Sequence, residues 1–272
     1  MSARYALIAG NGRFPVLALE QARKLGHEVI AVGIREEASP DIEPLAARCY
    51  WISLGQLGRL IEILKQEGVE EVVMAGQVKH TSIFSGIRPD WRMVKMLAGL
   101  REKNTDALVG AVVRELAGEG IRVTDSTAWL KPLLASQGVM TRRKPDREEL
   151  ADIEYGRRIA SALAALDVGQ SVAVAERACV AVEAMEGTDA MLRRAAQLVN
   201  GRPLRLVKVS RRRKHLLFDV PVVGAGTIPV MVETRTTALA VDAGRTLMLD
   251  REEMLGAADA AGIAIVGYSP ED

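Results

Sequence analysis

At 272 residues, with 49% hydrophobic and 26% charged side chains and a net charge of +1, the chain has the balance of a globular protein of one large or two ordinary domains, and intrinsic disorder is excluded. The even charge points away from nucleic acid as a partner. Cys49 and Cys179 are the two cysteines, and His27, His80 and His215 the three histidines; their wide spacing excludes CxxC or HxxxH zinc sites and a disulfide framework, so any metal is expected to be hard and oxygen-bound, such as Mg²⁺.

The apolar run after Met1 is too short for a signal peptide, and no window reaches the ~20 apolar residues of a membrane helix. A cytoplasmic protein is expected, peripheral at the inner membrane if its substrate is a lipid. Residues 5–9 read as a buried strand and Gly10-Asn11-Gly12 as the turn that follows. Pro15 suits the first turn of a helix ending at Leu25, with Gly26 just beyond it. A strand over 28–34, a helix over 57–66 with Leu57, Leu60, Ile61 and Leu64 on one face, and a strand over 69–75 continue the alternation. Helices around 92–100 and 105–116 and a strand over 121–124 complete a parallel βαβ pattern.

The stretch 131–146, with two prolines, a glycine and a basic cluster, breaks that pattern and reads as the domain boundary. The expected fold is therefore α/β: an N-terminal domain with an open parallel sheet over 1–133, and a distinct mixed α/β domain over 134–272. In the second domain Asp146 with Glu149 forms a capping box for a helix to Leu166. Strands over 171–175 and 179–184 form a hairpin, then a helix spans 189–199 and a strand 204–209. Short strands over 238–241 and 246–249 follow. Asp250 with Glu253 reads as a second capping box, and a last strand spans 263–266.

Four places carry candidate chemistry. Gly10-Asn11-Gly12 opens a helix, where backbone amides and the helix dipole suit an anion; a tight turn with no ligand is the alternative. It lacks the dinucleotide fingerprint, since Pro15 stands where the last glycine belongs. Gly76, Gln77 and Lys79 end the third strand, with Gln77 suited to a base or sugar and Lys79 to a phosphate, or else all three lie in a solvated loop. Residues 183–194 are the densest polar stretch. There a strand is expected to deliver Glu186, Gly187 to permit a sharp turn, and Thr188 or Asp189 to start a helix, giving an anion or metal site or ordinary capping. Finally, Lys208 and Asp219 flank the basic run 211–214; Asp219 precedes an apolar strand and a glycine turn and is suited to hold Mg²⁺ or orient a water, or else is a turn residue. The large apolar residues between Ile83 and Trp91 line an acyl groove or, on the commoner reading, are buried in the core or an interface.

Together these segments resemble the LpxI family, the UDP-2,3-diacylglucosamine pyrophosphatases of lipid A synthesis. The resemblance is carried by Leu7-Ile-Ala-Gly-Asn-Gly-Arg-Phe-Pro15, Ala75-Gly-Gln-Val78, Lys103-Asn-Thr-Asp106, Asp167-Val-Gly-Gln170, the run from Ala181 to Arg193, Phe218-Asp-Val-Pro-Val-Val-Gly224 and Val241-Asp-Ala-Gly-Arg-Thr246. It implies Mg²⁺-dependent hydrolysis of UDP-linked diacylglucosamine to UMP and 2,3-diacylglucosamine 1-phosphate, with substrate held between a Rossmann-like N-terminal domain and a distinct α/β C-terminal domain, an essential catalytic Asp219, and a homodimer with exchanged C-terminal domains. Gln170 and Arg193 join the expected substrate-binding residues. The chain departs from the family pattern at Asn11, where glycine is usual. His215 and Leu217 also depart, since an acidic residue and an arginine usually stand there. A non-catalytic sugar-nucleotide or lipid-binding protein and an NAD(P)-dependent oxidoreductase are the competing readings.

Overall fold

The computed structural model describes residues 4–78, 89–100, 105–125, 127, 129–211 and 220–270. The chain forms two compact units, Met1–Leu130 and Lys131–Asp272.

In the first unit β1 (Tyr5–Ala9), α1 (Phe14–Lys24), β2 (Val29–Ile34), a 3-10 turn (Pro40–Leu45), β3 (Arg48–Ile52), α2 (Leu57–Gln66), β4 (Glu71–Ala75), α3 (Trp91–Ala98), α4 (Thr105–Gly118) and β5 (Arg122–Thr124) follow one another. The strands form one parallel sheet in the order β3-β2-β1-β4-β5. Crossovers between parallel strands are right-handed. The chain leaves β1 in one direction and returns past it in the other, so the connecting helices divide between the two faces. Ala6, Ile8, Ile30 and Val32 pack with Leu60, Leu64 and Leu116 on one face. Helix α1 touches β1, β2, β4 and the 3-10 turn. The four leucine and isoleucine positions expected on one face of α2 are all buried.

Strand β3 is absent from the sequence reading. It is a half-buried edge strand, Arg-Cys-Tyr-Trp-Ile, without a clean apolar alternation. Tertiary bonds fix it: Arg48 and Tyr50 both donate to Glu67 at the end of α2. Trp91, expected inside, is 81% exposed at the start of α3, because Asp90 caps that helix through the Met93 amide and turns position 91 outward. Residues 83–88 of the same stretch lie outside the described residues.

The second unit runs β6 (Gly138–Val139), α5 (Arg147–Ala165), β7 (Ser171–Ala175), β8 (Ala178–Val182), α6 (Thr188–Leu198), β9 (Leu204–Lys208), β10 (Val222–Gly224), α7 (Thr227–Glu233), β11 (Thr236–Asp242), β12 (Leu247–Leu249), α8 (Arg251–Ala260) and β13 (Ala264–Tyr268). Its mixed sheet has the order β6-β13-β11-β9-β7-β8, with β9, β11 and β13 parallel. Strands β10 and β12 form a separate parallel pair. Alternation along β9 sorts the layers: Leu204 and Leu206 join the cluster with α6, α7 and α8, and Val207 joins the one beneath α5. Arg205, on the α5 face, is buried against Asp152. Glu176 and Arg177 both have positive φ, the two-residue turn that a right-twisted β7–β8 hairpin requires. Among the described residues no helix is long and apolar enough to cross a membrane.

Three local expectations change. Strand β8 ends at Val182, so Glu186 sits in the following loop. Helix α7 was unforeseen, because Gly224, Gly226 and Pro229 within ten residues signal a turn. Asp250 precedes α8 in a left-handed conformation with no side-chain cap bond, whereas a capping side chain needs an extended backbone to reach the N3 amide.

The Asp146–Glu149 box is present in full. Glu149, 2% exposed, also takes a bidentate pair of bonds from Arg143 and one from the Thr237 hydroxyl. Burial pushes this carboxyl up, but the Arg143, Thr237 and Asp146 bonds outweigh it and hold it below the usual range. A depressed carboxyl contributes stability above its unfolded pKa of about 4.3 and loses it as pH falls through the lower folded value. Urea denaturation should therefore show Glu149→Gln costing about 1.5–3 kcal/mol at pH 7, with the gap to wild type closing in the acid range below pH ~4.3.

Candidate functional site

Parallel strands gather their carboxyl ends, and the loops that follow them, at one edge. In the first unit that edge is made by the loops after β1 and β4, and they are tied together. Gly10 N donates to Ala75 O at 2.8 Å, Asn11 N to Gln77 O at 2.7 Å, and Gln77 N to Asn11 O at 3.1 Å. The glycines are required by this contact. A Cβ on Gly10 would lie 2.6 Å from Gln77 O, and one on Gly76, whose φ is +89°, 2.6 Å from Asn11 O. The amides of Gly10 and Asn11 are thus engaged by backbone carbonyls. An anion at this turn would be held by amides from Gly12 into the start of α1, where Pro15 offers none. Lys79 lies outside the described residues.

The corresponding edge of the second unit is more heavily charged. Lys208 ends β9 and is 8% exposed. Its even register in β9 turns it to the α6 side of the sheet, the side of Leu204 and Leu206. There Lys208 Nζ donates to Thr188 Oγ1 at 3.0 Å, and the Thr188 hydroxyl donates to Glu183 Oε1 at 2.8 Å. Ser171, fully buried at the start of β7, lies 3.4 Å from the same hydroxyl. Thr188 is the first residue of α6, as the sequence indicates, and Gly187, with φ +84°, holds the cap position without a side chain. The Thr188 side chain is thereby free to link a cation to a carboxylate.

Two features of this cluster lack a protein counterpart. Lys208 pairs directly with no carboxylate among the described residues, although a buried ammonium is costly without a counter-ion. Glu183, 9% exposed, has one carboxylate oxygen, Oε2, that is buried with no hydrogen-bond partner. Leaving a buried acceptor unpaired costs about 1–3 kcal/mol, more for a charged group. Gln170 Oε1 beside Ser171 is likewise buried without a donor. Gly169 allows this crowding, since a Cβ there would fall 1.9 Å from Glu183 O.

Further along the edge Asp242, at the end of β11, accepts bonds from both the amide and hydroxyl of Ser210, each 2.7 Å. Asp167 pairs with Arg211 at 2.7 Å. These contacts fix the chain as it enters residues 212–219, which hold Asp219, His215 and Leu217 and lie outside the described residues. On the far side Val220 is buried and Pro221 O accepts from Leu247 N.

Of the expected binding residues, the structure brings together Thr188, Lys208 and Gln170. It gives others structural bonds. Glu186 is held by Arg194 and the Ala184 amide, Arg193 pairs with Glu233 at the surface, and Asp189 is exposed in the first turn of α6. Glu183 and Asp242 lie in segments that carry the family resemblance but were assigned no role, and Ser171 and Ser210 were not singled out; for those two the one sequence signal is position, at or just past a strand end.

The donors at this edge are oxygens, which suits a hard cation held by one or two carboxylates and substrate phosphates. Thiolate chemistry is disfavoured: burial pushes Cys49 up to about 11 and Cys179 up as well. Among the described residues no three His, Cys, Asp or Glu cluster in a way that would hold a metal by themselves.

Two α/β units, with glycine turns and a buried cation at strand carboxyl ends, define a two-domain protein suited to phosphorylated ligands. Residues 4–133 match the LpxI N-terminal domain and residues 136–266 the LpxI C-terminal domain. The chain is 31% identical over 279 residues to the UDP-2,3-diacylglucosamine pyrophosphatase LpxI of Caulobacter vibrioides, covering 99% of each protein. The chain belongs to the LpxI family. Among solved structures it is similar to the biotin carboxylase subunit of pyruvate carboxylase, at 16% identity and TM-score 0.27 over 74% of this chain and 43% of that one. A biotin carboxylase from Campylobacter jejuni gives 12% identity and TM-score 0.28 over 72% and 42%. The chain thus spans less than half the length of those structures, and at such scores the likeness carries no argument.

The tied loops of the first unit make a direct test. Gly76→Ala should cost about 1–3 kcal/mol in urea denaturation, through left-handed strain and collision with the Asn11 carbonyl. Gly12→Ala, also left-handed but with nothing within 4 Å of its Cβ, should cost less.

Proposed function

We propose that this protein hydrolyses the diphosphate bond of UDP-2,3-diacylglucosamine, releasing UMP and 2,3-diacylglucosamine 1-phosphate. The observation that carries the proposal is the buried Lys208 ammonium at the N-terminus of α6, which has no direct carboxylate partner among the described residues and meets the need of an anionic phosphate. Family membership over the whole chain supplies the substrate: the Caulobacter vibrioides relative carries this activity in its name.

In this reading Lys208 and the first amides of α6 bind a phosphate, and Thr188 fixes the Lys208 side chain. Asp219 would hold Mg²⁺, which when bound offsets charge building on the departing phosphate. The proposal extends to a homodimer and to peripheral contact with the membrane surface, where a diacylated substrate resides. The engaged amides of Gly10 and Asn11, together with Pro15, count against a dinucleotide-dependent oxidoreductase.

Incubation with UDP-2,3-diacylglucosamine and Mg²⁺ should release UMP, and binding without turnover would favour the non-catalytic reading instead. Chelator-stripped protein should lose this activity and regain it on adding Mg²⁺; undiminished turnover in chelator would remove the metal from the mechanism. Asp219→Ala should lower single-turnover rates on the order of 100- to 1,000-fold while substrate affinity and melting temperature stay near wild type. That pattern separates a group used in the transition state from one that merely shapes a turn.

A further inference from the structure

We propose that Glu183 is the general base of this hydrolysis, taking a proton through Oε2 from the water that attacks phosphorus. The inference rests on the hydrolase reading above and deepens it.

Three observations converge on this residue. Glu183 is more than nine-tenths buried, and its two carboxylate oxygens are unequal. Oε1 is satisfied by the Thr188 hydroxyl, whereas Oε2 is buried and accepts from no group among the described residues. The Thr188 hydroxyl also accepts from Lys208 Nζ, so one side chain sets the distance between the carboxylate and the cation. A phosphate on the remaining Lys208 donors and the α6 amides would then stand one hydroxyl away from the carboxylate. A bare carboxylate oxygen there repels phosphate unless a donor comes between them, and a water molecule is such a donor. The orphan oxygen is therefore placed where the nucleophile must lose a proton.

Backbone geometry holds Glu183 in place. Its amide donates to Ser171 O, and Gly169 lets the preceding turn pack against its carbonyl. The balance of the step is simple. The water oxygen bonds to phosphorus as one of its protons passes to Glu183 Oε2. The bond from phosphorus to the bridging oxygen breaks, and that oxygen leaves with the other phosphate. The proton on Glu183 then passes to the departing phosphate or to solvent, restoring the carboxylate.

Among the described residues, the charged groups near Glu183 are Lys208 from β9, Asp189 and Arg194 from α6, and Glu186 from the loop, itself paired with Arg194. Asp242 from β11 and the Asp167–Arg211 pair lie further along the edge. Glu186 and Asp242 are occupied by bonds within the protein, and Asp189 is exposed, so none competes for the role.

The test is the pH dependence of UMP release under saturating substrate for wild type, Glu183→Gln and Glu183→Asp, with thermal melts of each. The glutamine variant can still accept from Thr188 through its amide oxygen, so it should melt near wild type. Its kcat should fall at least ~100-fold with KM within a few-fold. The wild-type rate should fall about tenfold per pH unit on the acid side, and this limb should vanish in Glu183→Gln. Glu183→Asp should recover part of the rate and the limb; it carries the test if the glutamine variant melts early. Retention of wild-type kcat by Glu183→Gln, or a loss confined to KM, would overturn the assignment while leaving the hydrolase reading intact. Failure of wild type to release UMP would instead overturn that reading, and this assignment with it.

Discussion

A strand that runs parallel to its neighbour can be reached only by a crossover, so every parallel strand in a sheet ends at the same edge. That constraint organises each unit of this protein. In the first it brings the loops after β1 and β4 side by side; in the second it gathers Lys208, Ser210 and Asp242 at the ends of β9 and β11. The antiparallel β7–β8 hairpin reverses at the far end, so β7 begins and β8 finishes at this same edge. Ser171 and Glu183 are delivered there by the hairpin register, not by their own preferences.

The two edges then use their polar groups differently. In the first unit backbone groups satisfy one another, and glycines at 10 and 76 permit the approach. In the second the sheet places a lysine and a glutamate in a buried setting and joins them through a hydroxyl rather than by contact. A direct ion pair would neutralise both groups and leave nothing for a ligand. Separation by Thr188 keeps spare donors on the cation and a spare acceptor on the carboxylate, at a cost in stability that a ligand can offset. Strain of this sort is expected at functional sites, where local consistency is given up.

Much of the architecture was legible in the sequence because it rests on short-range signals. The apolar run of β1, the 57–66 helical face, the Asp146–Glu149 box and the β7–β8 hairpin all appear where periodicity and capping place them. Failures fall where distant contacts decide. Strand β3 is fixed by Glu67 rather than by its own pattern, α7 forms despite two glycines and a proline, and Asp250 looks like a cap but has a backbone that cannot cap. The site was legible in part for the same reason. Thr188 and Lys208 stood out as a helix start and a strand end. Glu183 did not, since its distinction is an unpaired oxygen that exists only once Ser171, Thr188 and Lys208 surround it.

This difference bears on how the LpxI residues work as a unit. A motif such as Glu-Gly-Thr-Asp draws attention to its two carboxylates, yet Glu186 and Asp189 are spent on Arg194 and on solvent. The charged residues that keep spare bonding capacity around Thr188, among the described residues, are Glu183, before the motif proper, and Lys208, twenty residues after Thr188. Between them, Gly187 at φ +84° caps α6 without a side chain, which releases Thr188 from capping to bridge the two charges. Were Thr188 itself the cap, its oxygen would be turned to the helix amides, and Lys208 and Glu183 would lose their common partner. The glycine therefore matters less for approach to a ligand than for shifting the helix start by one residue, and that shift assembles the charged pair.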